Sequence, residues 1–291
     1  MAVEREIHNK INSIQNTKKI TKAMEMISIV KMRKTVARMR AGRPYAKMIK
    51  KVINHLIQGN LEYEHSYLEN RVTKRIGLVI ISTDRGLCGS LNTYLFKKIL
   101  VQIQKYANKN IMCDLIIFGL KGIMFFSALK SNIVATVANM GDKPRLSNFI
   151  NSIRIILESY KHNAIDKLFL ANNQFKNTIT HSPIITQLLP LSNVCAEKKD
   201  LYPVWDYLYE SDSKLLLDIL LNRYIESQIY QAILENIASE QAARTIAMKM
   251  ATDNSGNLIQ ELQSIYNKTR QASITRELTE IISGASAVQL N

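Results

Sequence analysis

The two ends of this 291-residue sequence lack the residues that interrupt helices. Residues 1–41 contain neither proline nor glycine, and residues 204–291 contain no proline and only two glycines, Gly256 and Gly284. Because proline breaks a helix interior and glycine weakens it, both ends are predicted to be long helices. At about 1.5 Å per residue, a helix from Tyr207 to Ile282 would measure about 110 Å. One domain of this size cannot cover such a helix, which therefore needs partners along its length.

Cysteine is also scarce, and long apolar runs are missing. Cys88, Cys113 and Cys195 are too scattered for a paired metal motif and odd in number for a disulfide framework, which predicts a reducing compartment. No apolar run reaches the length of a membrane-spanning helix, and the first residues lack the apolar core of a secretory signal. The histidines form no metal-binding spacing, and no familiar catalytic signature occurs. We therefore expect a chain without cofactor, metal or catalytic residue.

Acidic residues are few in the first part of the chain. Residues 1–51 hold 14 basic and 3 acidic side chains, a difference of +11 in a chain whose formal net charge is +15. Such a segment suits nucleic acid, an anionic membrane or an acidic protein partner, although a solvated helix face has the same composition. A basic coiled-coil nucleic-acid-binding protein is therefore an alternative function. It predicts aromatic side chains for base stacking, and Tyr45 is the only aromatic residue in this segment.

The N-terminal helix is predicted from apolar residues at helical spacing. They form three groups: Ile7, Ile11, Ile14; Ile20, Met24, Ile27; and Met32, Val36, Met39. The groups do not share one heptad frame, so the apolar seam is expected to wander around the helix. The Gly42-Arg43-Pro44 step is expected to bend or briefly break the helix. Residues 58–74 are mostly polar and are interpreted as a linker.

The middle of the chain alternates short apolar runs with helical segments, which predicts a largely parallel sheet with crossover helices. The predicted strands are Ile76–Ser82, Asp114–Gly119, Ile133–Ala138, Lys167–Asn172 and Ile184–Leu189. The predicted helices are Leu91–Tyr106, Lys121–Leu129 and Leu146–Tyr160. A polar stretch, Asn193–Asp200, is interpreted as a loop.

The turn Ser82–Ser90 follows a predicted strand and precedes a helix, the position where α/β proteins often bind phosphate. Its sequence fits neither of the common glycine-rich nucleotide motifs and lacks the lysine of a P-loop. We interpret it as a structural turn. A nucleotide-dependent enzyme that uses this turn is the competing hypothesis, and it predicts that the chain binds ATP by itself.

The C-terminal segment contains three notable stretches. Five alanines, at 238, 242, 243, 247 and 251, predict a thin section where two backbones approach closely. The residues at 253–257 carry local turn signals that favour a hairpin. The stretch 270–285 interleaves polar and apolar residues around the helix, which suits a tip surrounded by another protein. A cluster of aromatic and acidic residues, 205–212, fits either a domain-closing cluster or a partner site.

Several strings resemble one protein family. QNTKKITKAMEMI followed by KMRK, then RPYA, STDRGLCGSLN, WDYLYESD and SEQAARTIAMKMATDN, occur in that order. The stretch from Ile274 to Ala287 is the most specific of these matches. Together they resemble the gamma subunit of F-type ATP synthases over essentially the whole chain.

The resemblance implies an α/β fold in which an antiparallel coiled coil of the N- and C-terminal helices is joined to a central Rossmann-like α/β domain. Residues 1–57 are then the N-terminal coiled-coil helix, residues 75–195 the central domain, and residues 205–291 the C-terminal coiled-coil helix that pairs with 1–57. The long C-terminal helix of the family continues through residues 254–256, which overrules the local turn signal there.

The resemblance also implies a rotor. The chain would be the central shaft that couples proton-driven rotation of the c-ring to conformational cycling of the beta-subunit catalytic sites. Its partners would be the alpha and beta subunits of the hexameric head, the epsilon subunit and the c-ring. ATP chemistry would belong to beta, and the chain itself would be non-catalytic. A bacterial subunit would lie on the cytoplasmic side of the inner membrane, attached peripherally through the complex.

Matching the motifs residue by residue gives two sets of expected contacts. The contacts with the alpha–beta hexamer are Met24, Arg270, Gln271, Thr275, Glu277 and Glu280. The contacts with epsilon and the c-ring are Tyr207, Tyr209 and Glu210.

Overall fold

The computed structural model describes residues 2–58, 65–141, 143–191 and 213–289. The helices are α1 (Ala2–Gln58), α2 (Leu91–Ala107), α3 (Leu120–Ala128), α4 (Ser147–Lys161) and α5 (Ser213–Gln289). The strands are β1 (Arg75–Ile81), β2 (Met112–Phe118), β3 (Ile133–Val137), β4 (Lys167–Phe175) and β5 (His181–Leu189). The predicted mixed α/β fold with two long terminal helices is confirmed.

The five strands form one sheet in the order β3-β2-β1-β4-β5. The four strands from β3 to β4 are parallel, as the alternation of strands and helices predicts. The edge strand β5 is antiparallel to β4, to which a short hairpin connects it. The chain therefore reverses its winding direction at β1, whose two neighbours are β2 and β4.

The strands are apolar because both faces of the sheet are covered. Ile76, Leu78 and Ile80 of β1 point to one side, where they pack with α2 and α3. Val79 and Ile81 point to the other side, where α4 and parts of α1 and α5 lie. Alternate residues of one strand thus enter two different cores, which explains the continuous apolar runs in the sequence.

Each terminal helix continues through residues that predicted an interruption. α1 includes Pro44 and runs unbroken to Gln58, so a break at Gly42–Pro44 is wrong, while a bend there stays a prediction. α5 continues through residues 253–257, so the local hairpin signal is wrong and the helix implied by the family resemblance is confirmed. There the Ser255 hydroxyl donates to the Ala251 carbonyl oxygen at 2.7 Å, which satisfies within the helix a side chain that often promotes turns.

The chain divides into two compact units. The first comprises Met1–Ser28 and Thr245–Asn291, and the second comprises Ile29–Arg244 with the whole sheet. Within the second unit α1 and α5 run antiparallel. Gln231 Nε2 donates to the Met39 carbonyl oxygen, and Gln228 Nε2 donates to the Ala46 carbonyl oxygen, both at 3.4 Å. Residue numbers thus rise along α1 in the direction in which they fall along α5.

The segment 65–74, which the sequence suggested to be a polar linker, is anchored in the second unit. Tyr67 is completely buried, and its hydroxyl donates to Asn222 Oδ1 at 2.9 Å. His65 Nδ1 accepts the Tyr67 amide proton, so the ring proton is on Nε2, which donates to Asp218 Oδ1 at 2.7 Å. This hydrogen bond is the main cause that lowers the pKa of Asp218 below 3.8. The linker interpretation is therefore wrong for these residues, which fix the segment to α5.

Candidate functional site

The first unit is an antiparallel pair formed by the two ends of the chain. Thr252 and Thr21 share a hydrogen bond of 2.9 Å between their hydroxyls, and the His8 and Tyr266 rings lie 6.1 Å apart. The Lys18 ammonium lies 3.2 Å from where a Cβ on Gly256 would be. A side chain at that glycine would therefore compete with Lys18 for the same space, which gives Gly256 a packing role.

The buried positions of this pair follow a regular alternation of three and four residues, typical of a coiled-coil seam. On α1 the buried or half-buried positions include Glu4, Ile7, Ile11, Ile14, Thr21, Glu25 and Ser28. On α5 they include Met248, Thr252, Ser255, Ile259, Leu262, Tyr266 and Thr269. The expectation of a wandering seam is therefore wrong. The seam keeps one frame, but polar residues occupy much of it and hide the frame from an apolar pattern.

The second predicted apolar group of α1 lies outside this seam. Ile20, Met24 and Ile27 are 59%, 37% and 55% exposed, while Thr21, Glu25 and Ser28 are buried in their place. Met26 and Val30 are also exposed on this helix. A concentration of apolar side chains on a described surface is typical of an interaction site.

Residues 274–285 of α5 are all exposed, so this part of the helix is open around its whole circumference. Of the predicted contact residues, Arg270, Gln271, Thr275, Glu277 and Glu280 are all exposed. Between them lie exposed apolar side chains at Ile274, Leu278, Ile281 and Ile282. The antiparallel pairing places Thr269 near the beginning of α1, so the remainder of α5 extends beyond its partner helix. This part of α5 presents both apolar and polar side chains on its surface.

The structure does not bring Met24 together with the other five predicted head contacts. Thr21 and Thr252 lie opposite each other, Met24 follows Thr21 by three residues, and Arg270 follows Thr252 by 18 residues. Because the helices are antiparallel, these displacements add up to about 30 Å along the axis. The predicted residues therefore form two separate levels. Tyr207, Tyr209 and Glu210, together with the rest of the 205–212 cluster and the loop 193–200, lie outside the described residues.

The turn after β1 is held by its own backbone and by neighbouring loops. The Asp84 carboxylate accepts the amide protons of Leu120, Asn139 and Met140 at 3.1, 3.1 and 2.7 Å. Leu87 is in the left-handed region with a φ of 62°. These bonds tie the turn to the start of α3 and to the residues after β3, so the geometry favours a structural turn.

The crevice at the reversal of the sheet, between the carboxyl ends of β1 and β4, is filled by α5. In open α/β sheets this is the usual ligand site. Asn236 Nδ2 donates to the Ser82 carbonyl oxygen at 3.1 Å, and Asn236 Oδ1 accepts from Asn173 Nδ2 at 3.0 Å. Ser239 Oγ donates to the Asn173 carbonyl oxygen at 3.3 Å. These four residues are fully buried, and we call them the polar joint.

Arg244 extends this attachment about two turns beyond Asn236 on α5. Its guanidinium donates to the Gly86 carbonyl oxygen at 3.2 Å and to Glu240 Oε1 at 2.6 Å. The adjoining cavity has a volume of about 90 Å³, and charged residues of both signs line it, among them Asp84 and Arg85. Ligand pockets usually measure about 300 Å³ or more. The geometry therefore favours a site where a helix is attached rather than a site where a nucleotide binds.

The predicted thin section of α5 lies on this attachment. Ala238 and Ala242 are buried in a cluster with Met39 of α1, and Ala243 is buried with Cys88 and Leu91. Burial raises the pKa of the Cys88 thiol, which disfavours the reactive thiolate. The small side chains let α5 lie close to both α1 and the turn after β1.

Neither metal nor membrane chemistry is evident in the described part of the chain. No group of three or more metal-ligating side chains occurs among the residues that the structure describes. Within the same residues, no helix is both long and apolar enough to cross a membrane.

The polar joint was not predicted from the sequence. Asn236 and Ser239 lie three residues apart on α5 and on its buried face, in the same section as the alanines. A polar pair on a helix face that also carries Ile229, Ala232 and Ala243 was the available signal, because buried amides require partners.

Comparison with known proteins gives one consistent family. The family model described as ATP synthase matches residues 4–288. The ATP synthase gamma chain of Buchnera aphidicola subsp. Schizaphis graminum (strain Sg) is 62% identical over 294 residues, covering 100% of both chains. The ATP synthase gamma chain of Buchnera aphidicola subsp. Acyrthosiphon pisum (strain APS) is 61% identical with the same coverage.

Solved structures resemble the fold. The rotor of the Euglena gracilis mitochondrial ATP synthase has a chain with a TM-score of 0.66 and 20% identity, covering 94% of this chain and 99% of that chain. The central stalk and c-ring structure of the Tetrahymena thermophila mitochondrial ATP synthase has a chain with a TM-score of 0.59 and 25% identity, covering 80% and 99%. These similarities give no support to the nucleic-acid-binding alternative.

Proposed function

We propose a mechanism for this chain that starts from the family to which it belongs. The chain is a member of the family of ATP synthase gamma chains. Gamma subunits form the rotor of the central stalk, and this chain therefore works with the alpha and beta subunits, the epsilon subunit and the c-ring. The observation that carries the mechanism is the exposed end of α5, which extends beyond α1 with apolar and polar side chains on all sides.

A rotor acts by presenting different surfaces to identical partners. The predicted contacts lie at two levels, one at Met24 and one from Arg270 to Glu280, and chemically different side chains project in different directions from the shaft. Each orientation of such a shaft contacts the beta subunits differently. Contacts that differ between conformations shift the populations of those conformations. Rotation would therefore carry each catalytic site in turn through binding, synthesis and release of ATP.

The chain's own role in this scheme is mechanical. ATP chemistry would take place on beta, since the usual ligand crevice of the sheet is filled by Asn236 and the Cys88 thiol is buried. The division of labour would follow the predicted parts, with residues 1–57 and 205–291 as the shaft and residues 75–195 as the domain at its base.

The head contacts would be Met24, Arg270, Gln271, Thr275, Glu277 and Glu280, which are all exposed. The contacts with epsilon and the c-ring would be Tyr207, Tyr209 and Glu210. With the base on the c-ring, the chain would lie on the cytoplasmic side of the inner membrane as a peripheral subunit.

The test is steady-state ATP hydrolysis by purified alpha and beta subunits with and without this chain, together with ATP binding to the chain alone. We expect the chain to activate hydrolysis strongly while binding no ATP by itself. Binding of ATP by the isolated chain, with no effect on alpha and beta, would overturn the proposal.

A matched pair of variants tests the head contacts in the same assay. Arg270→Ala should weaken the activation of hydrolysis, because its side chain is one of the proposed contacts. Lys268→Ala changes another exposed basic residue two positions away and should leave the activation near the wild-type value. Equal effects of the two changes would refute the assignment of Arg270.

A further inference from the structure

The polar joint is difficult to explain by stability alone. Ser82, Asn173, Asn236 and Ser239 all lie at 0% exposure. Burying polar groups gains little, since each hydrogen bond inside the protein replaces one to water. Apolar side chains of similar volume would fill the same crevice without that desolvation, and neighbouring Ile233 of α5 does so in the adjacent core.

Hydrogen bonds differ from apolar contacts in being directional. Hydrophobic contact depends on the area buried and tolerates sliding of one surface along another. The bonds of Asn236 to Ser82 and Asn173 require a defined distance and angle. A small rotation of α5 about its axis would break both bonds at once and leave buried groups unpaired on each side of the crevice. The joint therefore opposes twisting of the helix within the second unit.

The position of the joint is also suited to carrying a load. It connects α5 to the ends of β1 and β4, the two central strands on either side of the sheet reversal. Arg244 adds a bond to Gly86 two turns farther along the same helix. A twisting force on the sheet is thus passed to α5 through residues at the ends of two paired strands, β1 and β4.

We propose that the polar joint, with Asn236 at its centre, carries torque between the α/β domain and the C-terminal helix. The inference rests on the proposed rotor function and assigns to Asn236 a positioning role. Loss of its two hydrogen bonds should raise the frequency with which α5 slips in the domain by about 30-fold. This factor corresponds to about 2 kcal/mol, since each 1.4 kcal/mol is a factor of about ten.

The experiment uses the complete ATP synthase in membrane vesicles, with this chain in wild-type or variant form. ATP hydrolysis and ATP-driven proton pumping are measured on the same vesicles, and the ratio of the two is compared. Asn236→Leu removes both hydrogen bonds and keeps the number and branching of the side-chain heavy atoms. Ile233→Val is the control, because it weakens a fully buried position of the same helix without touching a polar contact. Ser239→Ala removes one bond of the joint and is the milder variant if Asn236→Leu does not assemble.

We expect Asn236→Leu to hydrolyse ATP while pumping fewer protons per ATP, Ser239→Ala to do so to a smaller extent, and Ile233→Val to keep the wild-type ratio. An unchanged ratio in both joint variants would overturn the inference and reduce the joint to a packing feature. An equal fall in the Ile233→Val control would overturn it as well. If vesicles with the wild-type chain do not pump, the rotor function itself fails, whatever the variants do.

Discussion

Asp84 provides a sharp test of whether the turn after β1 is a structural brace. Its carboxylate receives three backbone amide protons, from Leu120, Asn139 and Met140, and so ties the turn to the start of α3 and to the residues after β3. Asp84→Ala leaves the three donors without their partner. At about 1 kcal/mol for each bond of a half-buried group, the free energy of unfolding should fall by about 3 kcal/mol.

Thermal unfolding of the full chain measures this loss. A change of 1 kcal/mol lowers the unfolding temperature of a unit of this size by about 2–4 °C, so Asp84→Ala should lower it by about 9 °C. Asp84→Asn keeps Oδ1 for Leu120 and Asn139 but turns an amide group toward Met140. It should therefore lie between the alanine variant and the wild type.

Asp253→Ala is the control, since Asp253 is exposed on α5 and its removal should change stability by about 0.5 kcal/mol or less. The reasoning is refuted if Asp84→Ala unfolds at the wild-type temperature. It is also refuted if ATP stabilises the wild-type chain and that stabilisation disappears in Asp84→Ala, because the turn would then be a phosphate site.

Other positions give predictions of different kinds. A Cβ on Gly119, whose φ is +101°, would lie 2.6 Å from the Ser82 carbonyl oxygen, so Gly119→Ala should cost about 3 kcal/mol or more in urea unfolding. Gly284→Ala, with nothing within 4 Å of the added carbon, should be neutral or slightly stabilising. Ile27→Ser should leave the unfolding temperature unchanged but weaken activation of the alpha–beta ATPase, because this residue is 55% exposed. The hydrogen bond from His65 lowers the pKa of Asp218 below 3.8. The stabilisation that ionised Asp218 gives the folded state is therefore complete above pH 3.8 and is lost as the pH falls through the folded-state pKa. The stability difference between wild type and Asp218→Asn, followed by urea unfolding at each pH, should therefore shrink only in that acid range.

Each of these predictions has a clear contrary result. Equal stability of the two glycine variants would show that the left-handed backbone at Gly119 is not required. A fall in unfolding temperature for Ile27→Ser would place this side chain in the core of the chain rather than on a contact surface. A stability difference for Asp218→Asn that grows as the pH falls would reverse the sign of the proposed linkage.

The sequence predicted the elements of the sheet closely. Strands such as β1 and β2 are buried on both faces, which requires continuous apolar runs, and such runs are visible without knowledge of the fold. The direction of β5 could not be predicted from composition. Its reversal depends on the short hairpin after Phe175, which brings the chain straight back along β4.

The seam of the helix pair could not be found from apolar spacing. At Thr21, Glu25 and Ser28 the buried positions are polar, whereas Ile20 and Ile27 are exposed. A search for helical periodicity follows apolar residues. It therefore selects the exposed face of α1 here, because that face is more apolar than the buried one. Thr21 can be buried because Thr252 offers it a hydrogen-bond partner, and that partner lies 231 residues away in the sequence.

The polar joint and the anchored segment at Tyr67 share the same difficulty. Asn236 reads as an ordinary helical residue, and Tyr67 lies in a stretch of mostly polar residues. Their partners, Asn173 and Asn222, are set by the three-dimensional arrangement alone. The family resemblance supplied the rotor function and the predicted contact residues, but the attachment of α5 to the sheet required the structure.

The most direct test of the central claim is observation of the chain's rotation inside an immobilised alpha–beta head. A probe attached through Lys109→Cys, at an exposed position in the turn after α2, would report the angle of the α/β domain. The rotor account predicts that the probe turns stepwise in one direction when ATP is added, at a rate proportional to hydrolysis. Continued ATP hydrolysis with a stationary probe, in complexes shown to contain the labelled chain, would contradict it.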